Sequence, residues 1–162
     1  MKKLTHVGDD GAARMVNVAD KPVTERFAVA SACIEISPAL ARLIKGRRAP
    51  KGDVLAVARV AGIMAAKKTA ELIPLCHPLS LDAVVVELEL TKNRVLVRAT
   101  VSTSGKTGVE MEAMTAVAVA ALAFYDMCKS VDRGMVISRV QLEDKRGGRS
   151  GHYERKRSAG GR

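Results

Sequence analysis

Apolar positions along the chain switch between two periods, and the switches mark its elements. Val23 to Ile36, VTERFAVASACIEI, carries β-branched and aromatic residues in partial alternation with no breaker, which predicts a strand with Arg26 as a cation near its start. Ser37-Pro38 then opens a short helix, because proline suits a first helical position, and Gly46 after Lys45 closes it. Asp53 serves as N-cap for a longer helix from Val54 to about Leu72, whose apolar face is studded with Ala and Gly. Leu81 to Leu90 and Arg94 to Ser102 alternate apolar with polar or charged residues on either side of a Lys92-Asn93 turn, the pattern of a β-hairpin. Helical spacing returns from Val109 through Met111, Met114, Val117, Ala118, Ala121, Leu122 and Tyr125, with no Gly or Pro before Gly134. Thr107 and Glu110 have the capping-box spacing that would start this helix. Met135 to Leu142 reads as a last strand. Ahead of all this, residues 1–13 read as a polar arm and Met15 to Val18 as a short extended segment.

The order strand, helix pair, strand, strand, helix, strand is the split βαββαβ arrangement: a ferredoxin-like α+β fold, with helices packed on one face of an antiparallel sheet. Residues 1–151 form one domain on this reading, and 152–162 a basic, mobile tail. The consecutive Val84-Val85-Val86 leaves the helix-free face apolar in part, which predicts that another subunit covers it.

Charge narrows the choice of partner. With 162 residues, a net charge of +10 and an isoelectric point near 9.9, the protein calls for an anionic one. Aromatic residues are only 2% of the chain, so a stacking platform for single-stranded nucleic acid is missing and small phosphorylated compounds are favoured. No uninterrupted apolar run approaches a bilayer's thickness and MKKLTHVGDDG lacks the apolar stretch of a secretory signal, so no membrane association is expected and the location is cytoplasmic. Cys33, Cys76 and Cys128 are odd in number and have no Cys-x-x-Cys spacing, which fits reduced thiols rather than disulfides or a zinc site.

Chemistry-bearing residues gather around three stretches. Ser104-Gly105-Lys106-Thr107-Gly108 invites a P-loop reading, but the required first glycine is Thr100; what survives is a glycine-rich turn, with a lysine, at a helix N-terminus, able to hold an anion. Ile73-Pro74-Leu75-Cys76-His77-Pro78-Leu79 fixes His77 between two prolines. The long helix places Glu110 and Glu112 at its start and Asp126 with Lys129 at its end. Asp126 is an acid near the end that disfavours one. Fourteen residues separate Glu112 from Asp126, about 21 Å along one helix, so a small substrate touching both needs a second copy of the chain. Lys51, His77, Asp126 and Lys129 together suit proton transfer on a phosphorylated compound, since a crowded lysine can lose its proton near neutral pH. No serine or cysteine is paired to a base. Lys145-Arg146-Gly147-Gly148-Arg149-Ser150-Gly151 adds cations among glycines, read equally well as an anion site or a solvated tail.

Leu4-Thr5-His6, Lys51-Gly-Asp-Val54, the whole of Ile73–Leu79, Gly105-Lys-Thr-Gly-Val-Glu-Met-Glu-Ala-Met-Thr115 and Tyr125-Asp-Met-Cys-Lys129 together resemble the cyclic pyranopterin monophosphate synthases of molybdenum cofactor biosynthesis. The resemblance runs to about Gly151. It implies a ferredoxin-like subunit in a homo-oligomer, a hexamer of three dimers, with active sites between subunits. It also implies a small-molecule substrate, 3′,8-cyclo-7,8-dihydro-GTP, converted with loss of pyrophosphate. By matching motif, Asp126 is the catalytic acid or base, with Lys51 and Lys129 in the same cluster. Leu75, Cys76 and His77, with Met111 and Glu112, line the substrate, and Lys145 contacts a phosphate. On that basis Glu112 accepts hydrogen bonds from guanine-derived N–H groups beside Glu110, and His77, Lys145 and Arg26 hold the triphosphate. No cofactor or metal is required; a divalent cation such as magnesium could accompany the triphosphate. Two other classes stand beside this one. An RNA-binding module predicts aromatics on central strands, where only Phe27 is found, and a purely structural oligomer leaves Asp126-Lys129 and His77 without a reason.

Overall fold

The computed structural model describes residues 6–8, 10–46 and 52–156. Its elements run β1 (Thr24–Glu35), α1 (Pro38–Lys45), α2 (Val54–Ala66), α3 (Thr69–Leu72), β2 (Ala83–Leu90), β3 (Arg94–Gly105), α4 (Glu110–Cys128), β4 (Val136–Arg146) and β5 (Tyr153–Glu154). The five strands lie in the order β2-β3-β1-β4-β5, with every neighbouring pair antiparallel. This is the ferredoxin-like α+β arrangement that the pattern predicts. β1 is central: it pairs with β3 from Thr24↔Gly105 to Glu35↔Arg94 and with β4 from Phe27↔Arg146 to Glu35↔Val136. A bulge in β4 sets Arg139 and Val140 against Ala32, and Arg139 takes a left-handed φ of 54° there.

Small residues bring the layers close. Ala28, Ala30, Ala32 and Ile34 of β1 and Val95, Val97, Ala99 and Val101 of β3 are buried against Ala113, Ala116, Val117, Ala120 and Phe124 of α4. α2 lies across α4 at Gly62, where a methyl group would stand 2.9 Å from the Ala116 carbonyl oxygen. α4 has 19 residues and is apolar enough to cross a membrane, contrary to the expectation that no segment is. Here, however, those apolar side chains are spent on α2 and the sheet, as in a core helix.

Three boundaries differ from the sequence reading. α2 stops at Ala66 instead of Leu72, because Lys67-Lys68 turn and the Thr69 hydroxyl donates to the Ala66 carbonyl at 3.0 Å, offering the backbone an alternative to helix. β4 continues to Arg146, since β1 still offers it partners as far as Phe27. The capping box does not form. α4 begins at Glu110 with Val109 as its N-cap and no side-chain cap; the Glu110 carboxylate lies over Gly108 instead, where a methyl group would come within 1.9 Å of it. β5, within the stretch read as a tail, pairs Glu154 with Asp144 and Tyr153 with Lys145.

Candidate active site

Two concavities share a wall. The first, about 340 Å³, is lined by the turn Leu75-Cys76-His77, by Met111 and Glu112 on the first turn of α4, and by Val16 and Val18 of the N-terminal arm. The second, about 540 Å³, is lined by Arg26 on β1, Lys106 after β3, and Lys145 with the glycines that follow β4. Lys21, Thr107, Gly108 and Glu110 belong to both, so the two form one groove.

Local chain chemistry sets each side chain. Pro74 closes a turn with the Cys76 N–H on the Ile73 carbonyl at 3.0 Å, and this delivers His77 to the groove. His77 Nε2 lies 2.9 Å from the Val16 carbonyl. A carbonyl only accepts, so Nε2 carries the proton and Nδ1 is the atom left for a ligand. Glu112 is only 4% exposed. Burial pushes its carboxyl up to about 7, and the charge of Glu110 adds to that. Burial and then Glu112 push the Cys76 thiol up as well, which disfavours the thiolate.

The far end of the groove is cationic and held rigidly. Arg26, buried, donates from Nε to the Gly105 carbonyl at 3.1 Å. Lys145, also buried, donates to the Gly147 carbonyl at 3.3 Å and to the Ser150 hydroxyl. Gly147 and Gly148 have φ of 92° and 73°, and a methyl group on Gly148 would meet the Arg26 guanidinium at 1.7 Å, so only glycine lets this loop wrap Arg26. The buried Thr24 hydroxyl beside them has no hydrogen-bond partner among the described residues. Donors so arranged suit phosphate oxygens.

The structure thus brings together Arg26, Leu75, Cys76, His77, Glu110, Met111, Glu112 and Lys145. It does not bring Asp126 and Lys129 to them. These two sit at the other end of α4, mostly exposed, in an ion pair of 2.7 Å. Lys129 is held above its ordinary value by the hydrogen bond to Asp126, which is opposite to the proton loss expected of a crowded lysine. Lys51 lies outside the described residues. Among the described residues no group of three or more His, Cys, Asp or Glu side chains is placed to hold a metal ion. Phe27, on the central strand β1, carries the Arg146 guanidinium 5.4 Å above its ring and offers no open stacking platform. The largest concavity, about 920 Å³, lies elsewhere, on the helix-free face of the sheet among Glu87, Arg98, Arg139 and Glu143, and includes none of the candidate residues.

A profile of the MoaC family matches residues 15–148. The chain belongs to the MoaC family. Among curated relatives, cyclic pyranopterin monophosphate synthase 1 of Mycobacterium tuberculosis is 58% identical over 156 residues, covering 96% of this chain and 92% of the relative. The synthase of Thermomicrobium roseum is 58% identical over 157 residues, covering 96% and 95%. Synthase 3 of M. tuberculosis is 57% identical over 153 residues, covering 94% and 86%. The MoaC match spans every candidate residue from Arg26 to Lys145. It also spans lining residues that the sequence reading did not single out, Val16, Val18, Lys21 and Thr24. The alternation of Met15 to Val18 and the Lys21-Pro22 step were the only signals for them, and neither is specific.

Proposed function

We propose that this chain is a cyclic pyranopterin monophosphate synthase, converting 3′,8-cyclo-7,8-dihydro-GTP into cyclic pyranopterin monophosphate and pyrophosphate. The observation that carries the reading is the groove itself: a buried carboxylate at one end and two buried, anchored cations at the other, in a chain of the MoaC family. A guanine-derived ring offers two adjacent N–H donors, which match the two oxygens of Glu112. The triphosphate then runs toward Arg26 and Lys145, with His77 beside it. Attack of a sugar hydroxyl on the α-phosphorus forms the cyclic phosphate and expels pyrophosphate, while ring opening and reclosure require protons to be moved. Asp126, Lys129 and Lys51 are the groups for that transfer. In the pair described here the Lys129 ammonium and the Asp126 carboxylate stand 2.7 Å apart, within reach for passing a proton.

One α4 holds Glu112 and Asp126 about 21 Å apart, so the transfer cluster reaches the groove from a neighbouring subunit. A homohexamer of three dimers in the cytoplasm is the assembly we propose. A divalent cation, if used, would come with the triphosphate. The test is pyrophosphate release from the cyclised dihydro-GTP by the purified protein and by Asp126→Asn. Release by the native protein with near-complete loss in the variant supports the assignment; equal release by both would sink the role of Asp126, and none by either would sink the synthase reading.

A further inference from the structure

One cation in the groove belongs to none of the motifs. Lys21 lies on the N-terminal arm and lines both concavities, at the junction between the Glu112 end and the Arg26 and Lys145 end. The arm is fastened on each side of the groove: His77 Nε2–H donates to the Val16 carbonyl at 2.9 Å and the Lys106 ammonium donates to the Ala19 carbonyl at 2.6 Å. Between these ties and β1, the Lys21 N–H closes a turn on the Val18 carbonyl at 3.1 Å. The backbone at Lys21 is therefore placed by the site's own side chains.

Most other cations of the groove are engaged, and Arg149, which has no such partner among the described residues, is exposed. Arg26 holds Gly105, Lys106 holds Ala19, and Lys145 holds Gly147 and Ser150. Lys21 is half-buried as a residue, and its ammonium has no hydrogen-bond or ion-pair partner among the described residues. A cation partly withdrawn from water without a partner is unfavourable unless an anion completes it.

We infer that Lys21 is a substrate-binding residue whose ammonium takes the phosphate next to the sugar, the α-phosphate, when the base lies at Glu112 and the outer phosphates lie at Arg26 and Lys145. This rests on the proposed function, since the order base, sugar, α-phosphate, outer phosphates along the groove sets which group meets the junction. Lys21 forms no covalent bond and keeps its proton. As the sugar oxygen attacks, negative charge builds on the non-bridging oxygens of the α-phosphate, and the ammonium offsets it.

The test uses the full chain as native protein, Lys21→Met and Lys21→Arg, with GTP as the binding probe at several salt concentrations and thermal melts for each. The Met variant keeps the native melting midpoint, binds GTP at least about tenfold more weakly, the loss expected of one charge-assisted hydrogen bond, and shows a shallower salt dependence; Arg recovers most of the affinity. Native GTP affinity and salt dependence in Lys21→Met would mean a solvated surface lysine and overturn the inference. An equal loss in both variants together with a lowered melting midpoint also overturns it, because Lys21 would then be holding the arm. If the native protein binds GTP but releases no pyrophosphate from the cyclised intermediate, the synthase reading fails while Lys21 stands or falls on the GTP affinities alone. Absence of GTP binding by the native protein overturns both.

Discussion

Glu112 titrates where burial, rather than a charged partner, sets its proton affinity. Folded, the carboxyl keeps its proton up to about pH 7; unfolded, it releases it near 4.5. Between those values the folded state binds more protons than the unfolded one, so stability falls as pH rises across the window. Glu112→Gln removes that slope, and the melting midpoint of the variant should change less between pH 5 and 8 than that of the native protein. The ligand effect has the opposite sign. A guanine-type donor pair needs the ionised carboxylate, so KM for the cyclised intermediate should rise as pH drops below about 7, by up to roughly tenfold per unit. A KM flat from pH 5.5 to 8 would count against Glu112 as the base anchor. Gly148 gives a second residue-scale prediction. Gly148→Ala forces the Arg26 guanidinium aside and strains a φ of 73°. It should weaken inorganic triphosphate binding more than Arg26→Lys does, as isothermal titration would show.

At the scale of elements, the α2–α4 crossing is held to one spacing by Gly62. Adding side-chain volume there pushes against the Ala116 carbonyl, the Ala120 methyl and Val86, and Gly62→Val should cost about 1–3 kcal/mol in urea unfolding. Phe124→Ala, which empties a fully buried site in the same layer, should cost about 3–5 kcal/mol. Periodicity made these elements legible. β1, α1 and the hairpin follow the sequence reading within one to three residues, because a buried face repeats every two or every 3.6 positions and Pro38, Gly46 and Asp53 punctuate it. Where a side chain competes with the backbone the signal failed, as at Thr69, which ends α2 early, and at Glu110, which lies over Gly108 rather than completing a capping box. Pro-framed His77 and the glycines after Lys145 could be singled out from sequence. Lys21 could not, because its place depends on an arm tied down by two long-range hydrogen bonds.

For the whole molecule, the separation of Glu112 from Asp126 along α4 means that, on the proposed reading, each site draws on two subunits. Mixing Glu112→Gln chains with Asp126→Asn chains, each inactive alone, should restore activity at sites that receive one intact residue from each. With random equal mixing that is about a quarter of the sites. No recovery after denaturing and refolding the mixture would argue for a site built within one chain. The helix-free face carries Glu87, Arg98, Arg139 and Glu143, and Val85 and Leu96 stand exposed on it.

β1 lies in the middle of the sheet yet is the first strand in the chain, and its two neighbours are β3 and β4. During synthesis it therefore leaves the ribosome with both edges bare. Its first partner begins at Arg94 and its second at Val136. At roughly 5–20 residues per second, the apolar stretch from Phe27 to Ile34 waits seconds for the first and longer for the second. A nascent chain halted before β4 offers that open edge to any other unfinished copy, so the interval before termination, rather than the finished domain, is when this protein most needs a chaperone.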